Sequence, residues 1–319
     1  MAVQKLKSRT QKYSKPATSQ INFTPLELSN DVSRTVIGQN DAVNTVSTAV
    51  WRFHSNVGGF NRHDYPLVYG PTGCGKTLLI ETAALCARIP YRRISMSGFS
   101  ASGFVDTSFS TYLEDMKEFS WGILHLDEFD KASSSENPEF GPLIQNEIMK
   151  ALDHNTDTQV NLQDCLFVFS GAFVDMEEIV RQRLGQDRIG FHADERQRPW
   201  WRDVCEEDFI AFGFKPELIG RLGVHAYVHP LNKRNMIEIL EQRYGPLESY
   251  LDSLRTRGSD VSVNNSAKDA LAQYATQSPS GARALQRYCA QLFYPLMINP
   301  KRRLIIDAKY VRRTLYTKV

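Results

Sequence analysis

The chain has 319 residues, more than one ordinary hydrophobic core organises and enough for two domains. Hydrophobic residues make up 42% and charged residues 23%, the balance of a globular protein rather than a disordered one. A formal net charge of +2 supplies no global field for nucleic acid or an anionic membrane.

Nothing approaches the apolar length of a membrane span or a signal-peptide core. The five cysteines, Cys74, Cys86, Cys165, Cys205 and Cys289, are scattered with no C-x-x-C pair. That argues against a disulfide framework and a Cys-rich zinc site, and fits a reducing compartment. A cytoplasmic location is expected, with the mitochondrial matrix as the lesser alternative.

In chain order, residues 1–25 contain no acid and carry Lys5, Lys7, Arg9, Lys12 and Lys15 among Ser, Thr and Gln. The composition predicts a flexible basic tail. A transit peptide is disfavoured by the lysines and the lack of an amphipathic face; a contact arm for a partner or nucleic acid stays open. Order is expected from Leu26. Val36-Ile37-Gly38-Gln39 then leads into a helical pattern over 40–55.

Tyr65–Tyr69 reads as a buried strand, and 78–85 as a helix. Between them lies Gly70-Pro71-Thr72-Gly73-Cys74-Gly75-Lys76-Thr77, which matches the phosphate-binding pattern G-x-x-x-x-G-K-[ST]. The bare pattern turns up in about one unrelated chain in a hundred of this length, and the strand and helix around it make it far more specific. Its glycines let successive N–H groups turn inward on an anion, and the helix N-terminus adds its dipole. Lys76 is placed to reach the β- and γ-phosphates of a nucleotide, and Thr77 to offer its hydroxyl to Mg²⁺. Leu78 opens the helix and completes the nucleotide-contacting stretch. Cys74 contributes backbone and packing, and its thiol is a candidate for oxidation that would block the nucleotide.

A second strand is predicted at 91–96, followed by a Gly-, Ser- and Phe-rich loop over 97–107. Gly122-Ile123-Leu124-His125-Leu126-Asp127-Glu128 is an apolar run ending in two acids, at the end of a buried strand where ligands gather. Asp127 would hold Mg²⁺ through water, and Glu128 would orient and deprotonate the attacking water. Further on, the patterns predict a helix over 138–155, a buried strand over 166–173 ending at the polar Ser170, a helix over 176–184, irregular sequence over 185–205 and a last strand over 224–230. Helical periodicity then covers 233–255, 267–276 and 282–297, with one short strand at 303–307. Alternating strands and helices predict an α/β fold with a parallel, doubly wound sheet over 26–230, followed by a smaller helical domain over 231–319.

The order Val36-Ile37-Gly38-Gln39, GPTGCGKT, LHLDEFDK, FSGAF, FKPELIGRL and SGARALQR resembles the AAA+ ATPases of the Clp/Hsp100 family, and within it the ClpX-type unfoldases. The resemblance implies the P-loop AAA+ fold, an αβα large domain and a small helical domain, with ATP and Mg²⁺ as cofactors. Position by position, it implies that Ile37 touches adenine and that Ser170, at the first sensor position, orients the lytic water. Arg221 in Pro216-Glu217-Leu218-Ile219-Gly220-Arg221 would be an arginine finger entering the neighbouring subunit's site. Arg283 in Gly281-Ala282-Arg283 would be the second sensor, reporting nucleotide state to the small domain.

The resemblance further implies a homo-oligomer, a hexameric ring, acting on protein substrates. Phe104 and Val105 fall at the pore loop that grips polypeptide, although Asp106 replaces a glycine there. Ile189-Gly190-Phe191 falls at the loop that docks on a ClpP-type peptidase, although its flanks, including Pro199-Trp200-Trp201, depart from the family. With no cysteine before Cys74, the family's N-terminal zinc-binding domain is expected to be missing. A remodeller working without a peptidase is the alternative reading. A nucleic-acid-associated AAA+ regulator is a second, disfavoured by the near-neutral charge.

Overall fold

The computed structural model describes residues 23–55, 65–99, 109, 113, 119, 121–153, 162, 164–185 and 199–316. Five strands form one sheet: β1 (Pro66–Tyr69), β2 (Tyr91–Ser95), β3 (Gly122–Asp127), β4 (Cys165–Gly171) and β5 (Val224–Tyr227). Their spatial order is β2-β3-β4-β1-β5, and every neighbouring pair is parallel. The three inner strands, β3, β4 and β1, are buried along their whole lengths, as their continuous apolar sequences require. The two edge strands keep exposed positions.

Helices cover the sheet. The first ones described are α1 (Pro25–Ser33), α2 (Asn40–Ser55) and α3 (Lys76–Cys86). Thr24 starts α1 with a capping box: its hydroxyl accepts from Glu27 N, and the Glu27 carboxylate accepts from Thr24 N at 2.7 Å. Next come α4 (Gly141–Leu152), α5 (Met176–Arg183), α6 (Glu206–Ala211) and α7 (Pro216–Ile219). The expected helix over 138–155 is thus shorter at both ends, and the strand over 224–230 stops at Tyr227.

The buried apolar residues fall into two clusters, one running from Leu28 to Val228 and the other from Leu231 to Val311. The second is built by α8 (Lys233–Glu241), α9 (Pro246–Arg255), α10 (Asn265–Thr276), α11 (Ala282–Ile298) and α12 (Ala308–Tyr316), with β6 (Asp260–Val263) and β7 (Arg303–Ile306). The single helical period expected over 233–255 is two helices. Pro246 takes the first turn of α9, and the chain ahead of it leaves helical geometry at Gln242, ψ 140°. The short C-terminal strand is β7, and it pairs in parallel with β6, a partner the sequence reading does not contain.

Candidate nucleotide site

The loop after β1 reverses onto α3 through Gly73 at φ +75° and Gly75 at φ +98°, the left-handed region that glycine enters without strain. Lys76 Nζ donates to Gly70 O at 2.7 Å and Pro71 O at 2.9 Å, so the ammonium ties the loop together from within. Burial lowers the Lys76 pKa and the Arg283 charge adds to this, against the opposing pull of Cys74, Asp127 and Asp130. Arg283 is therefore within electrostatic reach of the loop.

Two clasps fix the loop from outside. The buried Gln39 side chain donates to Cys74 O at 3.2 Å and His229 O at 2.8 Å, and accepts from His229 N at 2.7 Å. The start of α11 abuts the loop directly, with Ala282 N donating to Gly73 O at 3.0 Å. A Cβ built on Gly73 would lie 2.0 Å from Ser280 O. The loop is therefore held by both hydrophobic units at once. Ile37 is half-buried in the same bridging segment, where Gly38 packs on Asn235 of α8.

The register of β2, β3 and β4 aligns Ser95, Asp127 and Ser170 in one row at the carboxyl ends of the strands. Asp127 is buried and its carboxylate collects four donors. Ser170 Oγ donates to Oδ1 at 2.5 Å and Glu128 N at 3.0 Å, while Thr77 Oγ1 donates to Oδ2 at 2.9 Å and Arg93 Nη2 reaches it at 2.8 Å. Burial opposes ionisation, but His125, the Ser170 and Thr77 hydroxyls and the Arg93 guanidinium outweigh it, and the pKa is lowered.

Glu128 adopts φ 58°, ψ 38°, a conformation rare for a residue with a Cβ and characteristic of functional turns. Its carboxylate accepts from Ser95 Oγ at 2.6 Å, and hydrogen bonds from Ser95 and Ser97 lower its pKa. Thr77 and Asp127 juxtapose a hydroxyl and a carboxylate, hard oxygen donors of the kind Mg²⁺ takes. Among the described residues no cluster of three His, Cys, Asp or Glu side chains would hold a metal unaided.

The structure thus gathers Gly70 to Leu78, Asp127, Glu128, Ser170 and the start of α11 with Arg283. Ser170 Oγ lies between Asp127 Oδ1 at 2.5 Å and His125 Nε2 at 2.8 Å. Arg221 is not in this group. It lies past α7, where its Nε and Nη2 bind Asp153 at 3.0 and 2.7 Å beside an open groove of about 720 Å³ lined by α4 and Lys215. Burial pushes the Cys74 thiol up, so it is a poor thiolate. Phe104, Val105, Ile189, Gly190, Phe191 and residues 1–22 of the basic tail lie outside the described residues.

Sequence reasoning gave no role to Gln39, Tyr91, Arg93, Ser95, His125 or Asp153. One signal was present: His125 interrupts an otherwise apolar buried strand.

A parallel α/β sheet with a P-loop after β1 and paired acids at the carboxyl end of β3 defines a P-loop ATPase. Residues 66–192 match the model of the family "ATPase family associated with various cellular activities (AAA)". Over 92% of its length the chain is 26% identical to the "ATP-dependent Clp protease ATP-binding subunit ClpX" of Borrelia duttonii, covering 77% of that protein. It is likewise 26% identical to the ClpX of Treponema denticola, over 90% of this chain and 81% of that one. Residues 66–192 thus carry an AAA ATPase domain, and the chain as a whole is similar to these ClpX subunits; it binds nucleotide and hydrolyses ATP. Among the described residues no helix is long and apolar enough to cross a membrane.

Proposed function

We propose that the chain is a protein unfoldase or remodeller that hydrolyses Mg²⁺–ATP between the subunits of a ring, probing its substrate in a central pore. The observation that carries this reading is the separation of Arg221 from the P-loop. One chain presents Lys76, Thr77, Asp127, Glu128 and Arg283 together, and holds Arg221 elsewhere against Asp153. Each subunit then supplies half of two sites, the arrangement that a closed ring of heterologous contacts requires.

Lys76 binds the β- and γ-phosphates in exchange for the two loop carbonyls it now holds. Thr77 and Asp127 would hold Mg²⁺, which when bound neutralises phosphate charge. Glu128 accepts the proton of the attacking water. Arg221 of one subunit stabilises the charge developing at the next subunit's γ-phosphoryl group, an effect of roughly 10³–10⁵ in rate where such arginines have been isolated. Arg283 relays the nucleotide state to the helical unit, because the first turn of α11 rests on the loop.

The relatives are named as subunits of a Clp protease. For this chain Ile189-Gly190-Phe191 is the candidate docking tripeptide for a ClpP-type peptidase, and Phe104 and Val105 the candidate pore contacts. Co-purification with such a peptidase that is lost in Phe191→Ala supports delivery to it. A remodeller working alone would show no such capture.

The composite site is tested by mixing. Arg221→Ala and Glu128→Gln are each expected to lose at least about 100-fold in ATPase rate. Mixed in equal amounts, they recover activity, because some interfaces pair an intact Glu128 with an intact Arg221. Activity should also rise cooperatively with protein concentration and with added unfolded protein. A mixture as inactive as its components would refute the shared site.

A further inference from the structure

Behind Asp127 lies a line of polar groups that the reaction as described does not use. Tyr91 OH is 2.8 Å from His125 Nδ1, His125 Nε2 is 2.8 Å from Ser170 Oγ, and Ser170 Oγ is 2.5 Å from Asp127 Oδ1. The side chains come from β2, β3 and β4, and His125 and Ser170 are wholly buried. A buried polar line of this kind persists only where every member is satisfied.

The direction of each hydrogen bond follows from the last one. The Asp127 carboxylate can only accept, so the Ser170 hydroxyl donates to it. Having spent its proton, Ser170 Oγ accepts from His125, which fixes the hydrogen on Nε2. Nδ1 is then a bare lone pair and accepts from the Tyr91 hydroxyl. An imidazole with a single N–H, placed on Nε2 by its partner, satisfies every member of the line.

We propose that Tyr91, His125 and Ser170 form a one-way hydrogen-bond relay that locks the Asp127 carboxylate in the orientation required to receive metal-bound nucleotide. His125 and Tyr91 are positioning residues, acting on Asp127 through Ser170. The relay occupies Oδ1 together with Glu128 N and leaves Oδ2 turned to Thr77 and Arg93. A carboxylate held from behind by oriented donors loses little freedom when its front oxygen is engaged. The same logic governs groups that orient metal ligands from outside, whose removal lowers metal affinity by about 10–100-fold. The proposal rests on the reading of Asp127 as the metal-facing acid.

The test is the affinity for a fluorescent N-methylanthraniloyl-ATP, measured with magnesium and with EDTA. His125→Leu and Ser170→Ala should each weaken the magnesium-dependent affinity about tenfold. Each should leave the affinity in EDTA within about twofold, since Lys76 and the loop are untouched. His125→Gln, whose amide can donate to Ser170, should restore most of the loss. His125→Leu should add nothing to Ser170→Ala, because the path to Asp127 is already cut.

Losses equal in magnesium and EDTA, no rescue by glutamine, or a full additional loss in the double variant would each overturn the relay. If His125→Leu does not fold, Tyr91→Phe carries the same comparison at a half-buried position, with an expected loss of about threefold in magnesium alone. Asp127→Asn separates the two readings. If it leaves the magnesium dependence unchanged, the metal role of Asp127 fails and the relay with it. If it abolishes that dependence while the relay variants match the wild type, the relay alone fails.

Discussion

Gly73→Ala tests whether the P-loop and the helical unit are one mechanical piece. Its Cβ would sit 2.0 Å from Ser280 O and 2.7 Å from Ser280 C, backbone atoms that no rotamer change can move aside. Relief means pulling the start of α11 off the loop, which breaks the 3.0 Å bond from Ala282 N to Gly73 O. The left-handed backbone at φ +75° costs about 1–2 kcal/mol with any side chain. The forced separation adds about 1–3 kcal/mol. Gly75→Ala is the internal control: its φ is +98° and its added Cβ meets nothing within 4 Å, so it carries the backbone strain alone. Urea unfolding of the nucleotide-free protein should therefore place Gly73→Ala below Gly75→Ala by about 1–3 kcal/mol. Equal losses for the two variants would refute the claim that α11 bears on the loop.

The buried Asp208 pairs with Arg183 Nε at 2.7 Å and accepts from Cys205 N at 2.9 Å. Burial opposes its ionisation, but those bonds prevail and its pKa is lowered. Such a carboxylate contributes stability that is complete above about pH 4 and lost as pH falls through the folded value. Asp208→Asn should lower stability at neutral pH by about 2 kcal/mol, discounted because Arg183 is half-exposed. It should also make the decline below about pH 4 shallower in urea unfolding, so curves that stay parallel there would contradict the assignment. For Cys74 the raised thiol pKa and burial predict that Cys74→Ser leaves the oxidant sensitivity of the ATPase unchanged. A variant that becomes resistant would show that the thiol is reached after all.

Much of the site was legible because its parts are local. A P-loop is a strand, a glycine turn and a helix within about twenty residues, and Asp127-Glu128 ends a buried run that is apolar apart from His125. Each announces itself without any knowledge of what lies beside it. The break between α8 and α9 was equally local, since Gly245-Pro246 interrupts the helical period, yet the surrounding periodicity masked it. The pairing of β6 with β7 joins Asp260 to Arg303 across two intervening helices, and short strands with exposed ends carry little pattern of their own.

The relay was hidden for a further reason. Tyr91, His125 and Ser170 lie on three strands, and nothing in any one of them says that they meet. Strand alternation puts each on a definite face, but which residues become neighbours depends on strand order and register together. Ser95 aligns with Asp127, and Asp127 with Ser170. Shifting β2 by one residue would turn Tyr91 and Arg93 to the opposite face and leave His125 Nδ1 without a donor in the core. A buried histidine so stranded would lose roughly 1–3 kcal/mol. The polar line that positions Asp127 therefore also selects the register of the sheet, so catalytic geometry and strand pairing are specified by the same three hydrogen bonds.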